Sequence, residues 1–136
     1  MKIIRNKFIP FKGFGAMNIL GLLFVRNDFE PSERTMRHEA IHSKQQYEIL
    51  TSAALLALAL SNLFASWWYL LAVVVMPIAL YVLAWIIELV LPPYNSAYRD
   101  SPFEREAYDN QDNVSYLVVR PPFAWVFYFL KKDERK

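Results

Sequence analysis

The separation of charged from apolar residues constrains this chain more than any other feature of its sequence. All 15 Lys and Arg residues lie at or before Lys44 or at or after Arg99, and two long apolar runs fill the interval. The 136 residues are 55% hydrophobic and 16% aromatic. This pattern predicts a single, mostly α-helical membrane domain, and the net charge of +2 is too small to indicate a nucleic-acid partner.

The two apolar runs predict a helical hairpin that crosses the bilayer twice. Residues 67–91 exceed the roughly 20 apolar residues that a membrane-spanning helix needs. Residues 49–64 are marginal for a full span, and the segment from Thr35 to Phe64 contains no Gly or Pro. A hairpin buried inside a soluble helical bundle is the alternative. We favour the membrane because a chain this short has little polar surface with which to cover both helices.

The basic flanks on both sides of the hairpin predict its orientation. Because Lys and Arg collect in cytoplasmic segments, both flanks belong on the cytoplasmic side of the membrane. We therefore expect a protein of the bacterial inner (cytoplasmic) membrane, in contact with lipid, with both termini in the cytoplasm. Two passes return the chain to the face that it left, which brings the residues after Pro93 back to the level of the first flank.

We expect one domain over residues 1–136, divided into four segments. Residues 1–34 form an N-terminal β and loop segment, and residues 35–66 form a metal-site helix that runs into the first membrane helix. Residues 67–91 form the second membrane helix. Residues 92–136 form a C-terminal segment. Either Ser32 or Thr35 can cap the first helix.

The motif H-E-x-x-H begins at His38, at the head of the first predicted helix. His38 and His42 are the two histidines of the chain, and on a helix they project from one face, one turn apart. Two imidazoles in this arrangement can clamp Zn²⁺, and Glu39 can take a proton from a water at the open position. Because the chain has no Cys, a metal site must use His, carboxylate and water. Chance occurrence of the motif on a solvated helix is the alternative.

Two histidines leave a zinc site one protein ligand short, and the C-terminal segment offers Glu104 and Glu106. These carboxylates point about 200° apart on a helix, so one alone can face the metal. Glu104 shares its face with the small Ala107, which allows close helix packing. It also stands at the third position of a capping box that begins at Ser101. We favour Glu104 as the ligand, and Glu106 is the alternative if the Glu104 carboxylate binds its own backbone.

The sequence H-E-A-I-H followed, across a membrane hairpin, by E-R-E-A-Y resembles the gluzincin metallopeptidases, in particular the HtpX-like and CAAX-prenyl-protease-like membrane enzymes. The resemblance covers the two motifs and their spacing. It implies a zincin-like site in which His38, His42 and Glu104 hold zinc and Glu39 is the general base. Where that family has Asp after the alanine, this chain departs from the pattern with Tyr108.

Three shorter segments complete the predicted fold. Residues 16–26 are a compact apolar run that predicts a β-strand. The open edge of this strand could pair with an extended peptide beside the metal. Alternatively, the strand could only cover the site or lie against the bilayer. Residues 116–119 predict a short strand or an extended link. Residues 123–132 are aromatic with a basic end, and they predict a helix in the headgroup layer or one packed on the core.

Together these features predict a zinc-dependent membrane metallopeptidase that hydrolyses peptide bonds at or near the cytoplasmic membrane surface. His42 lies roughly 10 Å along the helix from the apolar run. We therefore expect the substrates to be peptides or membrane-protein segments close to the bilayer. Arg99, Tyr108 and Arg120 are candidates for stabilising an oxyanion. A non-enzymatic membrane protein with a structural metal site or a scaffold role is the alternative.

Overall fold

A computed structural model describes residues 2–8, 15–71, 75–76, 79 and 101–130 of the chain. The elements in these residues are β1 (Lys2–Asn6), β2 (Ala16–Ile19), β3 (Leu22–Arg26), α1 (Glu33–Phe64), a 3₁₀ helix (Trp67–Leu71), α2 (Pro102–Asn110), α3 (Tyr116–Val119) and α4 (Ala124–Leu130). The fold is mostly helical with a small sheet at the N-terminus, which confirms these two parts of the predicted fold class. The membrane hairpin and the zincin-like site stay predictions.

The N-terminal sheet has the strand order β1-β3-β2, with β1 parallel and β2 antiparallel to β3. Residues 16–26 therefore form a hairpin and not the single strand that their apolar run predicts. The chain turns at Leu20 and Gly21, which both have positive φ angles. Leu20 accepts this backbone conformation where α1 holds it, because Gln46 accepts a hydrogen bond from its N–H and the Tyr47 hydroxyl donates one to its carbonyl.

Helix α1 begins and ends close to the predicted limits of 35–66. Ser32 is its N-cap, and the Ser32 hydroxyl accepts a hydrogen bond from the Thr35 N–H at 3.1 Å. The helix ends at Phe64, and its C-cap residue Ala65 adopts a left-handed conformation. The buried residues of α1 recur every three or four positions and form one stripe. They are His38, Ile41, Gln45, Ile49, Ala53 and Ala57.

By length and composition, α1 could cross a membrane. In residues 49–64 most of the large apolar side chains are exposed; Leu55 is 65% and Leu63 is 74% accessible. Residues 67–71, the start of the predicted second membrane helix, form an exposed 3₁₀ helix in which the rings of Trp67 and Trp68 stack. The rest of the run to residue 91 lies almost entirely outside the described residues.

Helix α2 packs against α1 on one side and against α4 on the other. It begins after the N-cap Ser101, with Pro102 in its first turn. The ring of Phe103 lies 4.9 Å from that of Trp125 on α4, and Ala124 is buried at the start of α4. The outer face of α4 leaves Phe127 exposed, so this helix has one packed and one exposed face.

Residues 116–119 form a single helical turn, so the prediction of a strand or extended link there was wrong. The Asn113 side chain accepts hydrogen bonds from the N–H and the hydroxyl of Ser115, which starts the turn. The N–H of Arg120 closes it by donating to the carbonyl of Tyr116 at 2.7 Å. These local hydrogen bonds outweigh the strand propensity of the two valines.

Candidate metal centre

Three side chains from two helices converge on one point. The Nε2 atoms of His38 and His42 lie 3.1 Å apart. Each also lies 3.2 Å from an oxygen of the Glu104 carboxylate. Ligand atoms at roughly 2.0 to 2.1 Å from a tetrahedral zinc ion are about 3.3 Å apart. The three side chains therefore fit a zinc ion within a few tenths of an ångström, and they are the described group that could hold a metal.

Local sequence explains why Glu104 reaches the two histidines. The backbone N–H of Glu104 donates a hydrogen bond to the Ser101 hydroxyl at 3.1 Å, so the Ser101 half of the capping box forms without the Glu104 side chain. The Glu104 carboxylate lies against the imidazoles instead. Ala107, one turn further along α2, is fully buried and allows α2 to lie close to α1. The structure thus brings together His38, His42 and the favoured carboxylate.

Glu106, the alternative third ligand, lies on the other side of α2 in a buried cluster of its own. It is completely inaccessible to solvent. Its carboxylate accepts hydrogen bonds from the Arg120 guanidinium and the Tyr116 hydroxyl. It also accepts one from the Gln45 amide. These partners occupy both of its oxygens, so Glu106 is not placed to bind a metal with the histidines.

The predicted general base, Glu39, lies beside the three converging side chains. Burial raises the pKa of Glu39, and the nearby Glu104 charge raises it further. The His42 and His38 charges and a hydrogen bond from the Asn18 N–H act in the opposite direction. A carboxylate with a raised pKa accepts protons more readily near neutral pH, which is the property that a general base requires.

The two histidines have different surroundings. Burial alone would lower the pKa of His42, but the Glu104 carboxylate and the Glu39 charge raise it to about 9. The Nδ1 of His42 lies 2.8 Å from the side-chain oxygen of Gln45. The Nδ1 of His38 has no hydrogen-bond partner among the residues that the structure describes. The His38 ring lies edge-on to the Tyr108 ring, with 4.7 Å between the ring centroids. Tyr108 stands at the position where the gluzincin pattern has Asp.

The outer edge of β2 lies along α1 beside this cluster. At Asn18 the backbone N–H donates to Glu39, and the backbone carbonyl accepts from Gln46 at 3.0 Å. The Asn18 amide also donates to the Ser43 hydroxyl. A peptide could pair with the strand at Asn18 only by displacing two α1 side chains. The geometry therefore favours a strand that covers the site over one that binds a peptide.

Sequence reasoning missed a buried polar network next to the metal cluster. The Arg120 guanidinium lies between the carboxylates of Glu48 and Glu106 and bonds both. Trp125 donates its indole N–H to Glu48. One signal was present, because Glu48 is the last charged residue before the apolar run and needs a partner from a distant segment. Of the three candidates for stabilising an oxyanion, Arg120 is bound by two carboxylates and Tyr108 contacts His38. The third, Arg99, lies outside the described residues.

Comparisons of the chain with protein-family models, with curated proteins and with solved structures find no match. The function is therefore inferred from the geometry of the cluster and from the chemistry of its side chains.

Proposed function

We propose that this chain is a zinc-dependent metallopeptidase that hydrolyses peptide bonds at the cytoplasmic surface of a membrane. The observation that supports the proposal is the convergence of His38, His42 and Glu104 within 3.1 to 3.2 Å of one another. Two imidazoles and one carboxylate suit zinc better than magnesium or calcium, which prefer all-oxygen sites. Three protein ligands also leave a fourth position for water or substrate, as catalytic zinc sites require.

The chemistry divides between the metal and the protein. Zinc bound by these residues supplies a Lewis acid, which lowers the pKa of water and polarises a peptide carbonyl. Glu39 accepts a proton from the water that attacks the carbonyl carbon, and it gives that proton to the amine nitrogen as the C–N bond breaks. The hydrogen bond from Asn18 holds the Glu39 carboxylate in place for both transfers. Peptide and water are consumed, and a carboxylate and a protonated amine are formed.

The membrane location belongs to the same proposal. The helix that carries both histidines continues into the apolar residues 49–64, in which Leu55, Leu56, Leu58 and Leu63 are exposed. A hairpin of this run with residues 67–91 would place the metal site and both termini on the cytoplasmic side. Reporters fused at Lys136 and inserted near Asn62 should then report opposite sides of the membrane. The same side for both would contradict the hairpin.

Metal content is the first test of the site. The full chain, purified in detergent, should contain about one zinc per molecule, and His38→Ala should lose most of it. Glu104→Gln should also lose zinc, whereas Glu106→Gln should retain it because that residue does not face the histidines. Equal zinc in the wild type and in His38→Ala would remove the basis of the proposal.

Catalysis is tested separately with Glu39→Gln. This variant should retain zinc and lose cleavage of a mixed library of quenched fluorescent peptides, because the proton acceptor is gone. Glu33→Gln is the matched control, since Glu33 lies on the same helix but is exposed. Unchanged cleavage in Glu39→Gln would exclude it as the base. Zinc binding without any cleavage by the wild type would instead favour a structural metal site.

A further inference from the structure

Gln45 occupies a buried position between the candidate metal site and α2. Its residue surface is only 2% accessible. The side-chain oxygen lies 2.8 Å from the His42 Nδ1. The side-chain nitrogen lies 3.0 Å from the Phe103 carbonyl and 3.0 Å from the Glu106 carboxylate. Both the oxygen and the nitrogen of the buried Gln45 amide thus face hydrogen-bonding partners.

The partners of the nitrogen fix the orientation of this amide. The Phe103 carbonyl and the Glu106 carboxylate are acceptors and cannot donate a proton to Gln45. The atom that faces both of them must be the NH₂ group, so the atom that faces His42 must be the oxygen. A flipped amide would set its oxygen against two acceptors inside the protein, which costs the hydrogen bonds and adds repulsion.

The orientation of the amide in turn fixes the state of His42. An amide oxygen only accepts, so the Nδ1 of His42 must carry a hydrogen. In a neutral imidazole the lone pair then lies on Nε2. That is the atom directed at the His38 Nε2 and the Glu104 carboxylate. We propose that Gln45 is a positioning residue that holds His42 in the Nδ1–H tautomer and turns its Nε2 toward the metal.

Gln45 also connects the two helices that supply the ligands. The carbonyl that it bonds belongs to Phe103, the residue immediately before Glu104. A single side chain on α1 therefore sets the ring of the second histidine and the position of the first turn of α2. Partners of this kind around a metal ligand typically change metal affinity by 10- to 100-fold when they are removed. This inference rests on the proposed zinc site and assigns to it a residue outside the H-E-x-x-H motif.

Zinc affinity in a chelator competition assay tests the assignment, with the full chain in detergent. Gln45→Leu keeps the shape and removes both hydrogen-bonding groups, and it should weaken zinc binding by about 10- to 100-fold. Gln46→Leu is the matched control, because Gln46 contacts β2 and should leave zinc affinity unchanged.

A purely structural role for Gln45 predicts a different set of results. Loss of helix packing alone would weaken zinc binding in Gln45→Leu and leave the tautomer of His42 unchanged. Either an unchanged tautomer or unchanged zinc affinity in Gln45→Leu would overturn the assignment. Melting temperatures of the zinc-free variants separate misfolding from loss of zinc affinity. If the wild type binds zinc and Gln45→Leu binds it equally well, the Gln45 assignment fails while the proposed function stands.

The tautomer can also be read without zinc. Two-bond ¹H–¹⁵N correlation spectra distinguish the protonated ring nitrogen, and at about pH 10 the neutral His42 should carry its hydrogen on Nδ1 in the wild type. In Gln45→Leu the spectrum should show a mixture of the two tautomers. A hydrogen on Nε2 in the wild type would overturn the assignment, even for a protein that takes up no zinc and so fails the proposed function.

Discussion

The two halves of α1 share one backbone geometry but have opposite surroundings. From Glu33 to Glu48 the polar side chains reach β2, α2 and the segments that follow them, through hydrogen bonds and ion pairs. From Ile49 to Phe64 the buried residues are one isoleucine and two alanines, and large apolar side chains are exposed around them. The first half is thus held by specific polar partners, whereas the second presents a nearly continuous apolar surface.

This difference separates the two requirements of the proposed function. Metal ligands must be held within a fraction of an ångström, which calls for rigid packing and complete hydrogen bonding. An apolar helix surface requires only a medium that is also apolar, and each leucine removed from water contributes about 2 kcal/mol. A single helix can therefore place a rigid site at a fixed height above a membrane without a linker.

The largest effect is expected from charges in the second half. Leu55→Asp with Leu58→Asp should abolish retention of the protein in membranes after alkaline carbonate extraction. Aspartate at the centre of a membrane helix costs about 2.5 to 3.5 kcal/mol, so the pair costs roughly twice that. Both positions are more than half exposed, so the same changes would be harmless in water.

The matched control carries the same charges elsewhere. Val114→Asp with Val118→Asp also changes two exposed apolar side chains, but in the C-terminal segment outside the apolar runs. This variant should remain in the membrane fraction. Equal retention of the two double variants would contradict the proposed difference between the two halves of α1, because the second half would then not lie in lipid.

The next effect is expected in the first half, at Arg120. Arg120→Met leaves the carboxylates of Glu48 and Glu106 buried without their cation. Loss of one partner from a buried ion pair typically costs about 3 to 5 kcal/mol of unfolding free energy. Denaturant titration in detergent measures the change. Arg34→Met, which breaks an exposed pair with Asp112, should cost less than about 1 kcal/mol, and similar losses in both would contradict the buried network.

Much of this arrangement follows from the sequence, because α1 has strong local signals. The absence of Gly and Pro, the cap at Ser32 and the histidine spacing define its length and the face that carries both histidines. Ser101 likewise caps α2 and places Glu104 in its first turn. In each case the deciding interaction joins residues only a few positions apart, where spacing along the chain determines spacing in space.

The features that the sequence did not predict depend on distant partners. The turn at Leu20 is held by Gln46 and Tyr47, which lie 26 and 27 positions further along the chain. The role of Gln45 depends on a backbone carbonyl 58 positions away. The sequence of an apolar run or of a glutamine is the same whether or not such a distant partner exists. The turn and the contacts of Gln45 could therefore be found only from the three-dimensional structure.

A smaller effect than the loss of Arg120 is expected from pH in the zinc-free protein. Glu104 and Glu39 raise the pKa of His42 from its ordinary 6.5 to about 9, with His38 as the other ring that faces it. A raised folded-state pKa gives stability that is fully present below pH 6.5 and is lost as pH rises through 9. The loss is at most about 3 kcal/mol. Melting temperatures from pH 6 to 10 measure it, and His42→Gln should flatten the profile.

The smallest effect is expected at the start of α1, where Ser32→Ala removes the cap. Loss of the hydrogen bond to the Thr35 N–H should cost about 1 kcal/mol. Hydrogen exchange should accelerate in the first turns of α1. Amides beyond Ile49 should not respond, because in the proposed topology lipid and not the cap protects them. Ser52→Ala, in the second half, is the control and should change neither region. Equal acceleration along the whole helix would show that the two halves open together, and the distinction between them would then describe their surroundings but not their stability.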